Sequence, residues 1–239
     1  MTVTQSVQES GFHAFSDACT LADTLADYVA SAVAVRLART ERAALAISGG
    51  RTPIRFFQAL SLRPIDWSSV DITLVDERWV AETSERSNAR LVHTHLLQGA
   101  AGAARFVSLV TNDTTPEAGL ATVAARIAAL PLPFAAVVLG MGEDGHTASF
   151  FPSGDKLGSA LDPAGHCLVE AMRAPTAAEP RITLTLPILA TADVIALHIE
   201  GEVKRRVFAQ AENPGPVEDM PIRAILEAAR QRVDVFWCP

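Results

Sequence analysis

Val137-Val138-Leu139-Gly140-Met141-Gly142-Glu143-Asp144-Gly145-His146-Thr147-Ala148-Ser149-Phe150-Phe151-Pro152 carries an apolar run into a loop with three glycines, two carboxylates and a histidine. The apolar residues from Phe134 to Leu139 read as a buried strand, and the glycines let the backbone turn sharply at its end. Ligands of open α/β sheets bind just outside the carboxyl ends of strands. His146 therefore falls where chemistry is expected, with Asp144 two residues away to orient it.

Two other readings of this loop compete. Gly140, Gly142 and Gly145 fit the G-x-G-x-x-G dinucleotide fingerprint, with Glu170 as the acidic residue downstream. Glu143 and Asp144 lie inside the loop, however, and would meet a pyrophosphate with negative charge where it needs N–H groups and a helix start. The plainer alternative is a solvated turn with a surface histidine. The clustering of glycines, acids and histidine at one strand end argues against it.

Outward from the loop, strands and helices alternate. A helix is predicted from Asp17 to Arg39, where Leu21, Leu25, Tyr28, Val29, Ala32 and Val33 recur at helical spacing. Ala43–Ile47 reads as a strand, followed by Thr52 as an N-cap and a helix from Pro53 to Leu60. A strand over Ile72–Val75, a helix from Asn88 to Leu97 capped by Ser87, and a strand over Phe106–Leu109 come next. Thr115-Pro116 opens a helix reaching Leu130. Later strands are expected near 166–170, 182–184, 194–199 and 233–237, with helices over Val203–Gln210 and Pro221–Ala229. This alternation predicts a single α/β domain over residues 1–239, with a mostly parallel, doubly wound (Rossmann-like) sheet flanked by helices. Local irregularity is expected between Pro152 and Arg181.

Several strand ends carry polar residues. Ser48-Gly49-Gly50 joins a strand to a helix, so accessible backbone N–H groups and a helix start make a plausible phosphate cradle. A tight βα turn is the alternative, and neither a P-loop nor a nucleophile elbow is present. Asp76-Glu77-Arg78-Trp79-Val80 follows a strand and reads either as a polar site wall or as a surface ion-pair cluster. Arg181 precedes a strand, and Lys204 follows one in Gly201-Glu202-Val203-Lys204. Both are cations of the kind a phosphate uses, although singly such groups are usually solvated. His93 and His95 point to different helix faces, and His13, His166 and His198 have no ligand-type spacing, so no metal site is expected.

Composition narrows the function classes. With 49% hydrophobic and 20% charged residues over 239 positions, the chain can bury a full core. A net charge of -7 disfavours nucleic acid as a partner but leaves room for a small anion held by local cations. Cys19, Cys167 and Cys238 are sparse, odd in number and without C-x-x-C spacing, which points to a reducing cytoplasm. The first residues show neither the basic nor the apolar region of a signal peptide, and no run of apolar residues approaches a bilayer span, so no membrane association is expected.

Taken together, Ser48-Gly49-Gly50-Arg51-Thr52-Pro53, Asp76-Glu77-Arg78-Trp79-Val80, Ser87-Asn88, the block from Gly140 to Pro152 and Arg181-Ile182-Thr183-Leu184-Thr185 resemble the 6-phosphogluconolactonases. These are a branch of the glucosamine-6-phosphate isomerase/deaminase superfamily, and the pieces occur in that family's order across most of the chain. The resemblance implies an α/β sandwich that hydrolyses 6-phospho-D-glucono-1,5-lactone to 6-phosphogluconate in the pentose phosphate pathway, without metal or organic cofactor. His146 matches the family's catalytic histidine, with Asp144 or Glu143 to orient it, and Arg78 matches an active-site arginine. Ser48, Gly49, Gly50, Arg181 and Lys204 match the sugar-phosphate site. Deaminases of the superfamily typically carry D-G-H-I-A-F-N-E-P here, and Phe151 stands where their ring-opening glutamate lies. A phenylalanine cannot shuttle protons, which disfavours deamination or isomerisation. A sugar-phosphate sensor without catalysis is the third reading, against which the histidine argues. A helix beginning near His146 would disfavour its imidazolium.

Overall fold

The computed structural model describes residues 11–229 and 233–239. In chain order the elements are β1 (Phe12–Ala14), α1 (Ala18–Leu37), β2 (Ala43–Ile47), α2 (Ile54–Ser61), β3 (Val70–Leu74), β4 (Asp76–Arg78), α3 (Asn88–His95), β5 (Arg105–Val107), α4 (Pro116–Ala128), β6 (Ala136–Leu139), α5 (Leu157–Leu161), β7 (Val169–Met172), β8 (Arg181–Leu184), α6 (Leu186–Ala190), β9 (Val194–Glu200), α7 (Glu202–Ala211), α8 (Ile222–Ala228) and β10 (Val233–Cys238).

Seven strands form one parallel sheet in the order β1-β10-β9-β6-β2-β3-β5. Helices cover both faces of such a sheet, so its central strands have no wet side and read as continuous apolar runs. Ala43–Ile47 and Ala136–Leu139 are buried at every position. Against this sheet lies α1, capped by Asp17, whose side chain accepts from the amides of Cys19 and Thr20. Leu21, Leu25, Val29 and Val33 form its buried stripe. With 20 residues and a mean hydropathy of 1.3, α1 is long and apolar enough to cross a membrane by length and composition. The expectation that no such run exists is thus corrected, although its apolar stripe packs on the sheet and Arg36 at its end pairs with Asp193.

From β2 the chain runs outward through β3 to β5, then returns to β6 on the other side of β2 and proceeds to β9 and β10. The order therefore reverses between β2 and β6, and a crevice opens outside the carboxyl ends of strands at such a point. Ser48 N donates to Val138 O at 2.9 Å and fixes the two strand ends side by side there.

The expected mostly parallel, doubly wound sheet is present, and a second, smaller sheet that the sequence reading did not separate stands beside it. Three strands form a separate antiparallel sheet in the order β4-β8-β7. Val75 joins the two sheets, donating to Ile47 O and accepting from Leu184 N. Asp76-Glu77-Arg78, taken as a segment after a strand, is itself a strand, with Asp76 and Glu77 buried rather than on the surface. A second correction concerns α2. Pro53, not Thr52, holds its N-cap position, and no side chain caps it. Ser87 and Thr115 cap α3 and α4 as expected.

Candidate active site

At the switch point lies a cleft of about 440 Å³. Its walls include Ser48, Gly49, Gly50, Arg78, His146, Arg181 and Lys204, seven of the residues singled out in the sequence. Arg51, Asn88, Thr176 and His198 join them from the turn before α2, the start of α3, the loop after β7 and strand β9.

His146 is held by its own loop. Its Nδ1 lies 2.5 Å from Asp144 Oδ1, and the same carboxylate oxygen accepts the His146 amide at 3.2 Å. Gly142 N donates to His146 O at 2.8 Å, which closes the loop. A Cβ at Gly142 would collide with the His146 ring, so only glycine permits this closure. Thr147 Oγ1 ties the loop back to Gly140 O at 2.8 Å. The ring of Phe151 packs 4.6 Å from the imidazole. Nε2 is left with no protein partner among the described residues. Partial burial opposes ionisation of Asp144, but the adjacent imidazole prevails and holds its carboxyl below the usual range.

Of the two candidate carboxylates, only Asp144 reaches the ring. Glu143 is exposed and makes no hydrogen bond with His146. No helix begins at His146, and the next one is α5, from Leu157. The helix-dipole expectation is therefore corrected. The dinucleotide reading loses its anion-binding helix start for the same reason, and Glu170 sits in β7, bonded to Ser159.

The opposite wall comes from the small sheet. Arg78 on β4 and Arg181 on β8 are partners in the antiparallel register. Arg78 donates to Asn88 Oδ1 at 2.9 Å and to Arg86 O at 2.8 Å, while its buried Nε is unpaired. Arg181 is 9% exposed, its guanidinium carbon lies 5.5 Å over Phe151, and its Nε is also buried and unpaired. Asp76 Oδ2 is 3.8 Å from Arg181 and accepts the Ser149 hydroxyl at 2.6 Å. Burial pushes the Arg181 guanidinium below its ordinary pKa, with Arg78 adding to the effect and Asp76 opposing it.

Behind this wall, Glu77 anchors α3. Its carboxylate accepts the amides of Arg78, Asn88 and Ala89 and the Ser87 hydroxyl. All but the Arg78 amide sit at the N-terminus of α3, and together these donors offset a burial that still pushes its pKa up. Asn88, fixed in this way, donates to Asp76 O at 3.0 Å and fills the space beneath Gly49. A Cβ on Gly49 would strike its carboxamide, so the close approach requires glycine.

The remaining wall combines backbone amides and cations. The amides of Gly49, Gly50, Arg51 and Thr52 have no acceptor among the described residues, and Gly50 adopts φ +95°. Four cations, Arg51, Arg78, Arg181 and Lys204, line the cleft against the single carboxylate of Asp76. The site is locally positive in a chain of net charge -7. No cluster of His, Cys, Asp and Glu that could hold a metal occurs among the described residues.

A family model described as glucosamine-6-phosphate isomerases/6-phosphogluconolactonase matches residues 16–237. The chain belongs to this family. Within it, the chain is 51% identical over 228 residues to a 6-phosphogluconolactonase of Mesorhizobium japonicum, covering 95% of each chain. It is 47% identical over 230 residues to that of Rhizobium meliloti, covering 96% of this chain and 99% of the relative. The crystal structure of a 6-phosphogluconolactonase from Shewanella baltica superposes with a TM-score of 0.93 at 42% identity, covering 98% and 99% of the two chains. The α/β fold expected from the alternation of elements is thus the fold of this family.

Proposed function

We propose that this chain hydrolyses 6-phospho-D-glucono-1,5-lactone to 6-phospho-D-gluconate, with His146 as the general base. The observation that carries the proposal is the Asp144–His146 pair in one cleft with two arginines, Arg78 and Arg181, whose buried Nε groups are unpaired. An ionised Asp144 can only accept, so Nδ1 carries the imidazole hydrogen and Nε2 is left bare as a base. Nε2 takes a proton from water as the water oxygen bonds to C1 of the lactone. Arg78 stabilises the negative charge that develops on the carbonyl oxygen. The C1–ring oxygen bond then breaks, and the imidazolium returns its proton to the departing ring oxygen.

The substrate phosphate lies on Ser48, Gly49 and Gly50, with Arg181 and Lys204 as its cations. Gripping the phosphate holds the lactone in place, so binding energy far from C1 serves the reaction. Glu143 has no part in orienting the base. Phe151 fills the place of the deaminase glutamate and packs under His146, which leaves no proton shuttle for ring opening. We place the reaction in the cytoplasm, in keeping with the three free cysteines.

A direct assay decides among the readings. Purified protein should hydrolyse the phosphorylated lactone well above the spontaneous rate and release no ammonia from glucosamine 6-phosphate. Ammonia release, or saturable sugar-phosphate binding with no turnover, would overturn the proposal in favour of a deaminase or a sensor.

A further inference from the structure

We propose that Arg86 and Glu179 are positioning residues: their ion pair latches together two loops at the rim of the cleft and so sets the direction of Arg78. The inference rests on the reading above, in which Arg78 stabilises the charge that develops on the lactone carbonyl oxygen.

Two loops leave the small sheet side by side. Residues 79–87 join β4 to α3, and residues 173–180 join β7 to β8. The ladder that pairs Arg78 with Arg181 runs one step further, with Trp79 N donating to Pro180 O at 2.8 Å. Past that point the first loop is exposed from Ala81 to Arg86, apart from the half-buried Ser84. Apolar burial therefore does little to hold it.

Arg86 links this loop to its neighbour. Its Nη2 donates to Glu179 Oε2 at 2.8 Å, and its Nε lies 2.6 Å from Glu179 Oε1. A planar guanidinium that meets both oxygens of one carboxylate fixes direction as well as distance. Most exposed ion pairs contribute little, and a two-pronged arginine–carboxylate pair is the exception. Among the described residues, no other hydrogen bond or ion pair joins residues 80–87 to residues 173–180.

The latch reaches the site through the backbone. Arg86 O accepts Arg78 Nη1 at 2.8 Å, and the same nitrogen donates to Asn88 Oδ1 at 2.9 Å. Asn88 is buried and its amide is fixed by Glu77, whereas the Arg86 carbonyl belongs to the exposed loop. Local bonds shape that loop: Ser84 N to Ala81 O, Ser87 N to Ser84 O, and Arg90 of α3 to Thr83 O at 3.0 Å. Only the ion pair ties it across the rim, to the loop whose Thr176 lines the cleft with Arg78 and Arg181. Opening the latch frees one of the two acceptors that aim the Arg78 guanidinium.

The full chain carrying Arg86→Ala, Glu179→Ala or both tests this. Hydrogen–deuterium exchange reads each loop in the variant that leaves its sequence intact: residues 81–87 in Glu179→Ala, and residues 173–179 in Arg86→Ala. Both should exchange about threefold to fivefold faster than in the native chain, the scale of one exposed ion pair, while β2 and β6 stay unmoved. For the phosphorylated lactone, kcat should fall by about twofold to fivefold in each single variant. It should fall no further in the double variant, because either change opens the same latch. Arg86→Ala keeps the carbonyl that Arg78 uses, so its loss comes from position, and the melting temperature should hardly change.

Unchanged exchange, additive losses in kcat, or native kcat in Arg86→Ala would overturn the proposal. Arg78→Ala separates it from the reading beneath it. A large loss in Arg78→Ala beside native kcat in the latch variants removes the latch alone. Native turnover in Arg78→Ala removes the oxyanion role, and the positioning role with it, however the loops exchange.

Discussion

Arg78 and Arg181 stand opposite each other in the β4–β8 register, each with a buried, unpaired Nε. Like charges paired directly across an antiparallel ladder are destabilising. Asp76, 3.8 Å from Arg181, neutralises part of this charge, and the remainder calls for an anion in the cleft.

If Arg181 grips the substrate phosphate, Arg181→Ala should weaken use of the phosphorylated lactone by about 1.5–3 kcal/mol in kcat/KM, the range for a charged hydrogen bond. Unphosphorylated gluconolactone never makes the contact and should lose much less. Equal losses on both substrates would leave Arg181 as a structural residue at the start of β8.

His146→Ala should lower kcat by about two to four powers of ten, the usual effect of losing a general base. The side chain sits at a cleft wall rather than in the core, so the melting temperature should change little. Turnover near that of the unsubstituted protein would exclude His146 as the base.

Asp144 gives a signed pH effect. Its folded-state pKa is depressed, so its contact with His146 contributes stability above the ordinary aspartate pKa of 3.8 and loses it as pH falls through the lower folded value. The stability gap between the native chain and Asp144→Asn should therefore be present at about pH 6, roughly two units above that value, and close under strong acid. Denaturant melts at each pH measure it, and a gap that widens on acidification would contradict the assigned sign.

The central strands were legible because both their faces are buried. An unbroken run such as Ala43–Ile47 needs no pattern of alternation to be recognised. β1 is too short to show a period, and α5 and α6 have five residues each. The small sheet escaped because β4 reads Asp-Glu-Arg. Such a strand is buried only because Ser149 and the start of α3 satisfy its acids, and those partners lie 10 to 73 residues away. Ser87-Asn88 enters the family resemblance without a role, since the use of Asn88 rests on the folded position of Gly49. His198 did carry a signal, a polar residue inside an apolar strand, but spacing rules for metal ligands do not detect it. His146, by contrast, is oriented by a residue two positions away, so its setting is local and visible in the sequence.

Chelation offers a negative control. The described residues contain no metal-binding cluster, and the proposed steps use only side chains and water. Activity should survive EDTA undiminished. Loss on chelation, restored by one particular divalent ion, would reveal a metal that the proposed mechanism lacks.

Gly49→Ala tests whether the cleft depends on packing beneath it. The added Cβ would meet the Asn88 carboxamide, which cannot retreat without giving up Asp76 O and Arg78. Moving Asn88 releases the Arg78 guanidinium from one of its two hydrogen bonds and shifts a backbone amide of the proposed phosphate cradle. Misplacing catalytic groups by about 1 Å can cost on the order of 100-fold in rate, so kcat/KM should fall by at least about tenfold. Asn88→Ala should lose activity through Arg78 alone, and combining it with Gly49→Ala should add less than the two single losses predict, because both act through one contact. Additive losses would show that Gly49 and Asn88 serve the site separately, and that the glycine is needed for its backbone rather than for the space Asn88 occupies.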